Sequence, residues 1–71
     1  MSNDDQELIR MANQIADFFS GYPDDEAAAG IKGHIHDFWT PAMRAGLDEI
    51  IATGDASLSP LVIRAVRRGA A

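Results

Sequence analysis

The sequence predicts an all-α fold, a small bundle of four short helices with no sheet, as a single domain over residues 1–71. Three observations predict it. Apolar residues recur at three- and four-residue spacing and nowhere keep the two-residue alternation of a half-buried strand. Gly21-Tyr22-Pro23, Thr40-Pro41, Gly54 and Ser59-Pro60 stand between the periodic stretches, where helices stop and restart. The chain has no cysteine, so disulfides and thiolate metal sites are excluded, and so short a protein must rely on helix packing or on another chain.

The first helix, about residues 5–20, opens at Ser2, Asn3 or Asp4 with Asp5 and Glu7 in its first turn, where acids favour the positive helix end. Leu8, Met11, Ala12, Ile15, Phe18 and Phe19 form its apolar stripe, opposite Arg10, Asn13, Gln14 and Asp17. Ser20-Gly21-Tyr22-Pro23 ends it, with Gly21 suited to a left-handed cap. The second, about 24–39, starts on Asp24, Asp25 and Glu26 and carries Ile31, Ile35, Phe38 and Trp39 on one stripe. Gly30 and Gly33 each cost it about 1 kcal/mol relative to Ala, which calls for close packing either inside the domain or against a partner. Thr40 and Pro41 stop that helix and start the third, about 41–53, as N-cap and first helical residue. The third helix bears Met43, Leu47, Ile50 and Ile51 and stops at Gly54. Ser59-Pro60 repeats the device for the fourth, about 60–68, with Leu61, Val62, Ala65 and Val66. Arg64, Arg67 and Arg68 complement its negative end, and Gly69 follows.

Charge and composition narrow the function. Net charge is −5, and residues 1–26 hold seven acids against the single base Arg10. Nucleic acid is excluded as a partner, since it needs clustered Lys and Arg. A helix-turn-helix would have to read DNA with residues 41–53, whose only base, Arg44, lies beside Asp48 and Glu49. No apolar run approaches the ~18 residues of a membrane span, and the N-terminus is acidic where a secretory signal is basic, so a cytoplasmic protein is expected.

Catalysis and metal binding find no support. His34 and His36 point roughly 200° apart on a helix, which keeps them from sharing one metal, and His34 reads as a hydrogen-bonded histidine at the stripe's border. The serines and threonines serve as caps and turn residues, and no nucleophile elbow or phosphate-cradling glycine loop is present. We therefore assign no catalytic, cofactor-binding or metal-binding residue. What remains is protein binding. More large apolar side chains are present than four short helices can enclose, so some must face outward. Phe38-Trp39-Thr40-Pro41-Ala42-Met43-Arg44 gathers the residue types that enrich interface cores. Trp39 can anchor the core, a partner, or both with different parts of its ring. The candidate partner interface is Met11, Gln14, Phe18, Phe38, Trp39, Pro41, Met43 and Arg44, with Asn13 and Gln14 as amides able to satisfy backbone groups.

The run Leu8-Ile9-Arg10-Met11-Ala12-Asn13-Gln14-Ile15-Ala16-Asp17-Phe18-Phe19, then Tyr22-Pro23, His34-Ile35, Phe38-Trp39-x-Pro41-x-Met43-Arg44 and a closing Ser-Pro-Leu-Val, resembles the delta subunit of the NAD-dependent, molybdenum-containing formate dehydrogenases. The resemblance covers about residues 7–66. It implies a cofactor-free accessory subunit of a cytoplasmic complex that oxidises formate and reduces NAD. In such a complex the alpha subunit holds molybdenum bis(pterin guanine dinucleotide), and iron-sulfur clusters lead to FMN. This chain is then expected to dock on the alpha subunit and stabilise it. Two other readings stay open: a transient maturation factor for molybdenum cofactor insertion, and an unrelated helical adaptor.

Overall fold

Two capped prolines set the second half of the chain. The Thr40 hydroxyl accepts from the Met43 amide at 3.1 Å and the Ser59 hydroxyl from the Leu61 amide at 3.2 Å. Each satisfies an orphan donor of the first turn while the following proline, which has no N–H, leaves none to satisfy. The computed structural model, which describes residues 3–54 and 57–68, contains four helices: α1 Asn3–Phe19, α2 Asp24–Phe38, α3 Pro41–Thr53 and α4 Pro60–Arg68. No strand occurs among the described residues. Ser2 and Gly69, expected at the outer ends of the first and last helices, lie outside them, as does the Arg68 side chain.

The ends of α1 and α3 differ for a local reason. Gly54 takes the left-handed conformation, φ 76°, and its amide donates to the Ile51 carbonyl. Gly21 does not take it, against the sequence expectation; Gly54 is the only positive-φ residue among those described. Around Gly21 two of the free carbonyls of α1 find other donors, because the Ser20 hydroxyl and amide both donate to the Asp17 carbonyl and the Tyr22 amide to that of Phe19. The turn closes through those bonds without a left-handed residue.

The core draws on every helix and on the loop before α4. Leu8, Ala12 and Ala16 come from α1, Ala28, Ile31 and Ile35 from α2, then Trp39, then Leu47 and Ile50 from α3, Leu58, and Val62 and Ala65 from α4. The most extensive packing joins α2 to α4, and α1 lies across α2 and α3. Ile31, Leu47 and Val62 are the largest fully buried side chains; burying each contributes about 1.5–3 kcal/mol. Alanines between the helices let the backbones approach. At Gly46 on α3 the approach is closer still, since a Cβ would stand 2.8 Å from Leu8 Cδ1.

Polar brackets fix the angles. The Asn13 amide donates to the Ser57 carbonyl and accepts from the Ser59 amide, both at 2.8 Å, so one side chain of α1 holds the loop that starts α4. Arg44 of α3 donates to the His36 and Trp39 carbonyls at 3.2 and 3.5 Å and closes the end of α2. Arg64, expected to complement the end of its own helix, reaches Asp25 in the first turn of α2 instead. On the outer face of α1, Arg10 pairs with Glu7 and holds its carboxyl below the ordinary carboxylate range.

Candidate partner-binding groove

Helix α1 carries two apolar rows, and only one fits inside. Leu8, Ala12 and Ala16 form the inner row at four-residue spacing, with 9% exposure or less. Met11, Ile15 and Phe18 form the second row, about a quarter of a turn away, and exposure rises along it from half-buried Met11 and Ile15 to 74% at Phe18. Across from it, the last turns of α2 present His34 and Phe38, and Phe38 is 73% exposed. Together with Gln14, Phe19 and buried Trp39 these residues line a groove open to solvent.

Several of the groove's aromatic side chains meet one another. Phe18 meets Phe19 edge to face at 5.1 Å, and Phe19 lies 5.8 Å from Tyr22, itself half exposed. The Phe19 ring covers Gly30: a Cβ there would come within 2.4 Å of it. The cost of a glycine inside α2 is thereby explained at one of its two positions by packing within the chain. Gly33 has open space around it and no such explanation. His34, expected to be hydrogen-bonded, instead lies tilted against the Phe38 ring at 4.7 Å, while His36 turns towards Asp37.

Of the eight interface candidates read from the sequence, Met11, Gln14, Phe18, Phe38 and Trp39 line this groove. Trp39 does so from within the core, at 5% exposure. Pro41, Met43 and Arg44 sit at the α2–α3 corner. There Pro41 is exposed, Met43 packs half-buried against the core, and Arg44 spends its guanidinium on the end of α2. Asn13 is likewise used within the chain, on Ser57 and Ser59. Sequence reading omitted Ile15, Phe19 and His34 from the candidate site. The signal for two of them was present, since Ile15 stands four residues from Met11 and His34 four from Phe38, each pair on one helix face.

The donor set for inorganic chemistry is thin. Among the described residues no three His, Asp or Glu side chains come together to hold a metal ion, and an iron-sulfur cluster would need thiolates that the sequence lacks. The described helices include none long and apolar enough to cross a membrane.

Fold and groove define a small all-α protein with an uncovered aromatic cleft between two of its helices. The chain belongs to the family described as NADH-dependent formate dehydrogenase delta subunit FdsD, which matches it over residues 7–66. No curated protein and no solved structure matches it.

Proposed function

We propose that this delta-subunit chain is non-catalytic, and that it docks on the molybdenum-containing alpha subunit of a cytoplasmic NAD-dependent formate dehydrogenase, which it helps to assemble and stabilise. Formate oxidation, the molybdenum bis(pterin guanine dinucleotide) centre, the iron-sulfur clusters, FMN and NAD belong on this reading to the other subunits. One observation carries it: Phe18 and Phe38 stand about three-quarters exposed on either side of one groove in a chain whose family is that of a complex subunit. Two such rings offer apolar area that a partner gains by covering. Met11, Gln14 and Trp39 complete the contact, and Pro41, Met43 and Arg44 extend it around the α2–α3 corner.

The test is a double variant, Phe18→Ser with Phe38→Ser, expressed in place of the native chain. Exposed rings contribute little to the isolated fold, so the variant should keep its helical circular dichroism and melt within a few degrees of the parent. It should nevertheless be lost from the complex on purification. Retention at full stoichiometry would refute groove docking. Should the unaltered chain be missing from active, mature enzyme, a transient maturation role replaces the one proposed.

A further inference from the structure

A second cleft, of about 420 Å³, lies between α2, α3 and α4. Its floor is apolar, with Ile35 and Leu47 buried and Val66 half-buried. Its walls are charged. Lys32 of α2 and Arg44 of α3 line it, and Asp48 is the only carboxylate in the lining. The fixed charges thus leave a surplus of one positive in a chain whose net charge is −5. His36, also in the lining, is turned to Asp37 at 3.4 Å.

Both cations have donors to give. Exposed Lys32 takes no part in the ion pairs among the described residues, which join Arg10 to Glu7, Arg64 to Asp25 and His36 to Asp37. Half-buried Arg44 donates to the His36 and Trp39 carbonyls through Nη1 alone. Those bonds hold the guanidinium in place and leave its Nε–Nη2 edge for a carboxylate.

We infer that this cleft receives an acidic side chain, glutamate or aspartate, from another subunit of the formate dehydrogenase complex, which rests on the docked-subunit reading above but not on the aromatic groove. The stem of that side chain lies on Ile35, Leu47 and Val66, and its carboxylate meets Lys32 and Arg44. The charge count sets the class of anion. A surplus of one suits a monoanion, whereas a phosphate dianion or a nucleic-acid strand brings more negative charge than the walls neutralise, beside Asp48. The openness of the cleft sets the source. An ion pair in water contributes little by itself, so a free small carboxylate gains too little to stay. A carboxylate carried on a protein surface is brought in by the rest of the interface and is dehydrated together with its partners.

Lys32 is the only lysine in the sequence, so carbodiimide coupling, which joins an amine directly to a carboxylate in contact with it, reports on this one side chain. In purified complex that contains the chain, peptide mass spectrometry should find Lys32 joined to a Glu or Asp of another subunit. In parallel, binding of the full-length chain to complex purified without it is measured for the parent, Lys32→Arg, Lys32→Glu and Arg10→Glu. The two charge reversals change net charge equally, and both act on exposed side chains, so helical circular dichroism and Tm should stay close to the parent's. Lys32→Glu sets like charges face to face and should bind at least about tenfold more weakly. Lys32→Arg and Arg10→Glu should stay within about twofold of the parent. Equal losses in Lys32→Glu and Arg10→Glu would overturn the inference, since net charge alone would then explain them. So would coupling of Lys32 to a second copy of this chain, or a Lys32 left uncoupled and as open to acetylation in the complex as in the free chain. Absence of the chain from mature complex would instead refute the docked-subunit reading beneath it.

Discussion

Helix α2 presents two seams that were solved in opposite ways. Towards α4 it sets Ala28, Ile31 and Ile35 into a core shared with Val62 and Ala65, and every one of these is at 5% exposure or less. Towards α1 it ends in a groove whose two outermost phenylalanines stay in water. Both seams are apolar. They differ in side-chain size, because alanine, valine and isoleucine fill the gap between close helices, while a phenyl ring near a helix end reaches past it. Apolar character alone thus does not mark a core position in so small a bundle; fit to the space between the helices does, which admits Trp39 and leaves Phe38 outside.

That comparison breaks most visibly by truncating one residue on each side. Ile31→Ala opens a cavity in the closed seam and should cost about 2–5 kcal/mol. The whole core at this size contributes only about 3–5 kcal/mol. The isolated variant should lose its cooperative thermal transition, whereas Phe38→Ala should keep it; equal losses would show that the groove is part of the core. A smaller effect is expected where the seams are tied together. Asn13→Ala leaves the Ser57 carbonyl and Ser59 amide without their partner from α1 and should cost about 1–3 kcal/mol, with faster amide exchange at Ser59. Unchanged exchange there would mean that water replaces the bracket.

The smallest effect sharpens the contrast within α2 itself. Gly33→Ala meets nothing within 4 Å and should raise stability by about 0.5–1 kcal/mol, read as an increase of several degrees in Tm. Gly30→Ala gains the same helix propensity but must displace the Phe19 ring, so it should gain less and should alter the groove wall. Equal gains at the two glycines would show that the ring moves freely.

Much of the helical plan was legible because it is local. Thr40-Pro41, Ser59-Pro60 and Gly54 act on backbone groups one to four residues away, and their chemistry is the same in any fold. The misreadings have the opposite character. Asn13 was taken for an interface amide because its partners lie 44 and 46 residues along the chain, and Arg64 was taken for a dipole partner because Asp25 lies 39 residues back. Arg44, which stays a proposed partner contact, also closes the end of α2 through the His36 carbonyl eight residues back, a second role that residue order did not disclose. Gly21 was expected to cap because its neighbours' hydrogen bonds to Asp17 and Phe19 depend on how the turn closes.

The sequence by itself determined four helices, their starts and stops, the surplus of large apolar side chains and the family resemblance. Each of these follows from neighbours in the chain or from residue order. Only the tertiary structure decided that the row of Leu8, Ala12 and Ala16 would go inward, leaving Met11, Ile15 and Phe18 to wall a groove. Both rows have helical spacing and apolar chemistry, so periodicity cannot rank them. The choice belongs to fit, because small side chains let α1 settle against α2 and α3, and the larger row faces outward once the space between those helices is filled.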